Sequence, residues 1–575
     1  MSLVPPARLA VCLLVLLAPV AARAATYHVA PAPTGNDNAA GADTTPWASI
    51  TRAQRTVRPG DTVMVHGGTY AFTGNTGTVG ASFTTSGTAA LPINYFAVAG
   101  EPAPVFDLTN LTTAQRITGL DVNCSWVRIR GLEVMGVRQG IVGNDSWGVR
   151  IQGSNNIIEG VNSHNNQAAG FFITSGANNL IVNCDSHDNY DPAEGGGNGD
   201  GFGCHSSGGG NVISQCRSYD NSDDGYDFIN AAGTCTVEKS FAVRCGFIPH
   251  TTTAAGNGAG FKAGGFGSPP MPPAGGTPRH TVRQCVAFGN RAHGFYANHH
   301  PGGIDFFNNL AFRNPANYNM LADAGFPSAH TLRNNIAMAT GSTISNLSGG
   351  TDTFNSWTLS VTVSAADFTS TDEAQVLAPR NADYSLPAMT FMHLVAGSDL
   401  IDKGTNVNLP FVGAAPDLGP YEFGAVATGV GGASGGIGGA SGGIGGASGG
   451  TGGAPGRPDA GGTGTGGAGA TGTGGSAVTG AGGGGAVSGV GGATGGGGAT
   501  GGGTGGRGAT SAGGNSGGTA GEPGGGVDGT TTGGCACGVA SGSPGSLGAA
   551  LLLALATLSL VLRTRRRSVR VRRAS

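Results

Sequence analysis

Positive charge is scarce in this chain, and much of it sits at the two ends. The 575 residues include 30 Lys or Arg and 33 Asp or Glu, a formal net charge of −3. Setting aside the seven arginines between Arg563 and Arg573 leaves −10, and setting aside Arg8 and Arg23 as well leaves −12. A body this acidic is not a nucleic-acid binder through bulk electrostatics. If it acts on an anion, positive charge must be supplied locally, by a metal ion or a placed lysine. Aromatic residues are also few, at 6%. The body has no Cys-x-x-Cys pair, which removes the common zinc pattern. The ligand spacing of an EF-hand is missing too. The apolar runs at the two ends are both short for a membrane span.

What the chain has in excess is glycine, 111 residues, and it is unevenly spread. The N-terminus reads as a secretory leader over residues 1–25: Arg8, an apolar run from Leu9 to Val20, then small residues through Ala25. From residue 425 to 534 the chain is almost entirely Gly, Ala, Ser and Thr. Little apolar surface is available there to offset backbone entropy, so the expectation is a disordered linker spanning about 60 Å. Residues 535–575 carry Cys535 and Cys537, an apolar run from Leu547 to Leu562, and the arginine cluster. Apolar segments flanked by arginines keep those arginines on the cytoplasmic side. This order resembles the C-terminal sorting signals of myxobacterial surface proteins, and the resemblance implies display at the outer cell surface, with a membrane segment that is either retained or cleaved.

The body holds seven cysteines, an odd number, so at least one thiol has no partner within it. Cys184, Cys216 and Cys285 each precede an asparagine (Asn189, Asn221, Asn290) by five residues, and Ser240 and Asn309 fill the same column. A stack of small buried residues is the plainer reading of that column than a disulfide.

The asparagines mark a repeat. Ser163-His164-Asn165-Asn166, Ser186-His187-Asp188-Asn189, Ser218-Tyr219-Asp220-Asn221, Ala287-Phe288-Gly289-Asn290 and Ala311-Phe312-Arg313-Asn314 align, with intervals of 23, 32, 69 and 24 between the final asparagines. The longest interval holds a further unit in which Cys245 takes the asparagine's place. A short period with alternating apolar segments and turn residues is the signature of a parallel β-solenoid. Strands are expected at Val212 to Cys216 and Thr281 to Cys285, and inserted loops at Tyr190 to Gly197, Phe247 to Asn257 and Ser268 to Pro278. The asparagines should form a ladder in a turn, their amides bonding up and down the stack. At the N-terminus, Thr26 to Val29 reads as a strand, Pro46 to Val57 as a short helix plugging the first coil, and Thr62 to Val65 as a strand ended by Gly67 to Tyr70. The folded part is expected to close with Gly397 to Asp402 and Ala415 to Glu422.

A second column recurs: Gly170-Phe171, Gly201-Phe202, Gly225-Tyr226, Gly260-Phe261 and Gly294-Phe295. Its rings should face the core, which turns their neighbours outward. One outward column then reads Phe172, Gly203, Asp227, Lys262, Tyr296. Asp200 and Asp224 share another with Ala169, Ala259 and His293. Asp200, Asp223, Asp224 and Asp227 can together supply the oxygen ligands that calcium prefers, and without a cation they would repel one another strongly. Lys262, one coil on, reads either as an ion-pair partner of Asp227 or as a general base beside a metal. His205, His293, Tyr296 and Asn298 are candidates for lining a cleft, though ordinary surface or core positions are the plainer reading of each.

Asp200, Asp223-Asp224-Gly225-Tyr226-Asp227 and Gly260-Phe261-Lys262-Ala263-Gly264-Gly265, with Tyr27-His28-Val29 and Pro59-Gly60-Asp61 upstream, resemble polysaccharide lyase family nine, the pectate lyases. The resemblance covers residues 26–424. It implies an all-β, right-handed parallel β-helix, calcium held by the four aspartates, and Lys262 as the Brønsted base. The reaction it implies is β-elimination on polygalacturonate; a monomer is expected. Hydrolysis would need a paired carboxyl acid and base instead. The alternatives are a non-catalytic surface solenoid binding acidic glycans, and a lyase or epimerase for another acidic polymer.

Overall fold

The computed structural model describes residues 24–267, 270–323, 329–338 and 341–425. Almost all of the expected leader, the linker after Ala425 and the whole 535–575 tail lie outside the described residues, as do the first two residues of the Ser268 to Pro278 loop.

Among the described residues are three parallel sheets, of 12, 10 and 10 strands. The first sheet begins at Thr26–Val29 and ends at Thr351–Thr353, the second runs from Val79–Phe83 to Ser342–Ser345, and the third from Gly68–Gly74 to Ile336–Met338. Each coil adds one strand to each sheet, which is the parallel β-helix that the repeat predicts.

The Gly-aromatic column explains the stack's stiffness. Phe171, Phe202, Tyr226, Phe261 and Phe295 pile up with ring centroids 4.6–5.1 Å apart, and Tyr318 extends the pile at 4.9 Å. All are fully buried in the main core. The preceding glycines are needed because the coils approach closely there. A β-carbon on Gly201, Gly225 or Gly260 would stand 2.6, 2.5 or 2.8 Å from the carbonyl oxygen of the next glycine in the column.

The turns carry the ladder. The backbone N–H and side-chain amide of Asn166 both donate to Asn189 Oδ1, at 3.1 and 2.9 Å, and Asn189 repeats this with Asn221 at the same distances. Asn290 does the same with Asn314, at 3.0 Å for both bonds. Another ladder, Asn156 to Asn179 to Asn211, was not anticipated. Further along it His280 and His330 stand in for asparagine, each Nδ1 accepting a backbone N–H, from Cys235 and Ile304. The cysteine column is the expected stack: Cys184, Cys216 and Cys285 are buried free thiols. The disulfide lies elsewhere, between Cys204 and Cys235.

Two expectations need correction. The N-terminal helix spans only Ile50–Gln54, capped by Ser49, though Ile50 and Ala53 do plug the core. Gly67 to Tyr70 does not simply end a strand: Gly68–Gly74 is itself the first strand of the third sheet. Gly397 to Asp402 and Ala415 to Glu422 lie near the end of the described residues. They belong to a segment that returns along the outer face of the third sheet, where Phe368, Val376, Phe391, Leu400 and Leu418 bury Phe241, Val243, Val286, Phe288, Leu310 and Phe312. The apolar outer face of that sheet could not remain exposed.

Candidate active site

Neighbouring coils of the second sheet place the chemistry. Their strands Phe202–Cys204, Tyr226–Asp227, Ala259–Lys262 and His293–Tyr296 are adjacent. The register pairs Phe172 with Gly203, Gly203 with Asp227, Asp227 with Lys262, and Lys262 with Tyr296, as the sequence columns predict. Because the rings point inward, Asp227 and Lys262 point outward together.

Lys262 Nζ lies 3.0 Å from Asp224 Oδ2 and 3.1 Å from Asp227 Oδ2. One carboxylate oxygen from each of Asp200, Asp224 and Asp227 falls within 4.8 Å of the others. Backbone N–H groups aim these carboxylates: Asp224 N–H donates to Asp200 Oδ1 at 3.1 Å, Ala259 N–H to Asp224 Oδ1 at 2.7 Å, and Ile229 N–H to Asp227 Oδ1 at 2.7 Å. Asp223 lines the same cleft, but its Oδ1 accepts from Asn257 N–H, on the inserted loop, and it stands outside that tight group of three.

All five side chains are almost completely buried, Lys262 the least at 8% exposed. Burial and mutual repulsion push the Asp200 and Asp223 carboxyls far above the ordinary carboxylate range. The Asp224 carboxyl is raised by burial, with Lys262 opposing. Burial opposes ionisation of Asp227 as well, but Lys262 and His205 outweigh it and hold the group below its usual range. For Lys262 burial works against the charged form, yet Asp224, Asp227, Asp223 and Asp200 together raise its pKa well above the ordinary lysine value. Four carboxylates around one ammonium leave the site short of positive charge. Asp224 Oδ2 is buried, with the Lys262 ammonium 3.0 Å away as its ion-pair partner. An all-oxygen donor set with that deficit fits a hard divalent cation such as calcium.

The cleft above these residues holds about 330 Å³. His205, His293, Tyr296 and Asn298 all line it. His205 Nε2 lies 3.8 Å from Asp227 Oδ2, and its ring packs edge-on against Phe172 at 4.4 Å. Asp145 and Trp147 also line the cleft and were not picked out from the sequence. The guanidinium groups of Arg116 and Arg150 sit over the Trp147 ring at 4.4 and 4.6 Å. Trp147 aligns with Ala169 in the outward column, a position that coil-by-coil alignment upstream of Gly170 would have found.

Comparison with known proteins agrees with this geometry. The sequence model described as "Pel9A-like, right handed beta helix region" matches residues 27–335. Pectate lyase L of Dickeya dadantii (strain 3937) is 34% identical over 407 residues, covering 69% of this chain and 90% of that protein. Pectate lyase PEL9 of Emericella nidulans is 30% identical over 401 residues, covering 64% of this chain and 92% of that one. Among solved structures, pectate lyase Pel9A superposes with a TM-score of 0.59 at 32% identity, covering 69% of this chain and 96% of its own. A rhamnogalacturonan lyase gives the same TM-score, 0.59, at 33% identity, covering 64% and 96%. With matching residues, register and fold, the chain belongs to polysaccharide lyase family nine, the Pel9A-like right-handed β-helix proteins, and it is a polysaccharide lyase of the pectate lyase type.

Proposed function

We propose that this protein is an exported, calcium-dependent lyase that cleaves polygalacturonate by β-elimination, with Lys262 as the base. The observation that carries the reading is the lone buried lysine set among Asp200, Asp223, Asp224 and Asp227 on the floor of an open cleft. Those four aspartates would hold calcium. When bound, calcium supplies the positive charge that the carboxylates lack and that a uronate carboxylate needs for its adjacent C5–H to become acidic.

Lys262 as an ammonium has no lone pair and cannot accept a proton. Its present partners, Asp224 and Asp227, hold it in that form. It becomes a base when their charge is taken up elsewhere and burial is left to favour the neutral amine. The amine then takes the C5 proton, the C5–H electrons form the C4=C5 double bond, and the glycosidic oxygen leaves C4. Asp227 receives its other hydrogen bond from Ile229 N–H, so it stays in place beside the amine as Lys262 changes charge. Trp147 and Phe172, with ring centroids 6.0 Å apart, lie on one side of Asp227 and Lys262, and Tyr296 lies on the other; each offers a ring face against which a sugar can lie.

The test is ultraviolet absorbance of the new double bond on polygalacturonate, with calcium and then with a chelator. Product that forms equally well in chelator would remove the calcium. No product from any uronate polymer would favour a non-catalytic glycan binder. The similarity to a rhamnogalacturonan lyase supports a second substrate reading, so rhamnogalacturonan belongs in the same assay. For the rest of the chain we propose a cleaved leader over 1–25, a folded domain over 26–424, a Gly-rich linker over 425–534, and a surface-sorting tail over 535–575. Among the described residues no helix is long and apolar enough to cross a membrane. N-terminal sequencing and surface proteolysis of cells would test the two ends.

A further inference from the structure

At the capped end of the helix, far along the chain from the cleft, three metal-ligand atoms converge. His28 lies on the first strand of the first sheet, Thr26–Val29, and His66 directly follows the neighbouring strand, Thr62–Val65, its N–H donating to Val29 O at 2.8 Å. Asp43 sits in a tight turn closed by the Ala42–Thr45 bridge, and Gly41 O anchors that turn to His28 N–H at 2.8 Å. The three side chains therefore come from three separate pieces of backbone, each tied to the others.

Their atoms form a small triangle. His28 Nδ1 is 3.0 Å from His66 Nε2 and 3.2 Å from Asp43 Oδ1, and His66 Nε2 is 3.3 Å from Asp43 Oδ1. Ligands about 2.0–2.1 Å from a tetrahedral zinc are separated from one another by about 3.3 Å. The triangle has nearly that size before any ion is added.

The outer partner is also in place. His66 Nδ1 lies 3.0 Å from Glu101 Oε1, and Glu101 Oε2 is itself held by Gly67 N–H at 2.8 Å. A carboxylate can only accept, so His66 carries its proton on Nδ1 and turns the Nε2 lone pair toward the triangle. Carboxylate, imidazole and metal in a row is the arrangement that fixes a histidine ligand's tautomer. His66 Nε2 and Asp43 Oδ1 are then two acceptors aimed at one nitrogen, His28 Nδ1. A single proton on that nitrogen can serve only one of them well, whereas a cation at the centre satisfies all three.

We propose that His28, Asp43 and His66 form a binding site for a borderline divalent transition metal, zinc foremost, with Glu101 as its positioning residue. Imidazole donors select against calcium, which takes oxygen ligands, so this site is chemically separate from the cleft. Its fourth position faces solvent, because Asp43 is 70% exposed. A bound ion would clip the cap loop to the first two coils and contribute to folding stability there.

The test uses the full chain, stripped of metal, resaturated with calcium and then titrated with zinc by calorimetry, with metal content and thermal unfolding read in parallel. The expected result is one zinc retained per chain and an upward shift of the unfolding midpoint in zinc. Asp43→Asn and Glu101→Gln should each weaken zinc binding about ten- to a hundredfold, and a His28→Ala/His66→Ala double variant should retain none. Wild type that holds no more zinc than the double variant would mean a proton-sharing cluster and overturn the proposal. Should the double variant fail to fold, the exposed Asp43→Asn decides alone: unchanged zinc affinity there would also overturn it.

Discussion

Asp227 and Lys262 stand opposite each other on successive coils, carboxylate to ammonium at 3.1 Å. They are separated by 35 positions in the chain, and the register of one sheet is what joins them. Lys262→Met should keep the fold and reduce the elimination rate by about 10²–10⁴. Lys262→Arg, which keeps the charge but does not deprotonate, should be similarly slow. Initial rates on polygalacturonate check both, and a Met variant within tenfold of wild type would refute Lys262 as base.

Calcium should stabilise as well as activate. At a hundred times its dissociation constant a ligand bound only to the folded state adds about 2.7 kcal/mol. The unfolding midpoint should therefore rise with added calcium and fall with chelator, and Asp224→Asn should flatten the response. A midpoint indifferent to calcium in the wild type would argue against the aspartate site.

The ladders predict a large cost for a small change. Asn189→Ala removes an oxygen that accepts two bonds from Asn166 and strips Asn221 Oδ1 of its side-chain donor. Buried polar groups left without partners cost about 1–3 kcal/mol each. Chemical denaturation should show a loss of about 3 kcal/mol, against about 1 kcal/mol from Asn165→Ala next door, whose side chain hydrogen-bonds at the surface and whose left-handed φ of 52° alanine tolerates less well than asparagine.

Strong acid should loosen the hold of the returning segment on the third sheet. Asp185 pairs with Arg217 at 2.6 Å and Arg380 at 2.8 Å, and Arg217 also donates to Val376 O and Ala378 O. Burial would raise the Asp185 pKa, but its hydrogen bond to Arg217 and the charge of Arg380 outweigh it and hold the value below the ordinary one. Its contribution is therefore complete above the unfolded-state value of about 3.9 and disappears as pH falls through the lower folded value. Asp185→Asn leaves two largely buried guanidinium groups without their anion and should cost about 3 kcal/mol at neutral pH. The same variant should show less further loss on acidification than wild type. Unfolding curves across that range would settle it.

Most of the site was readable from the sequence because a stack of coils converts linear spacing into spatial columns. Once Gly201-Phe202, Gly225-Tyr226 and Gly260-Phe261 are aligned, the positions of Asp200, Asp224, Asp227 and Lys262 follow from alternation alone. What was missed breaks that rule. The segment containing Phe368, Phe391 and Leu418 has no period, so nothing local signals that Phe391 packs on Phe312 and Phe288, 79 and 103 residues back along the chain. The second ladder changes residue type, from Asn211 to His280, while keeping the acceptor atom in place, so a search for identical letters passes over it. His28, Asp43 and His66 lie before the repeat becomes regular, where only the folded cap brings them together.

The covering of the third sheet by residues 368 to 418 has a consequence for the order of assembly. Coils can stack one upon another as they emerge from the ribosome, yet a greasy stripe through Phe241, Phe288 and Phe312 must wait for residues near 368 to 418 before it is hidden from water. Until that late arrival the nascent helix is a sticky rod, and the period between the last coil and the final wrap is when it is most exposed to self-association.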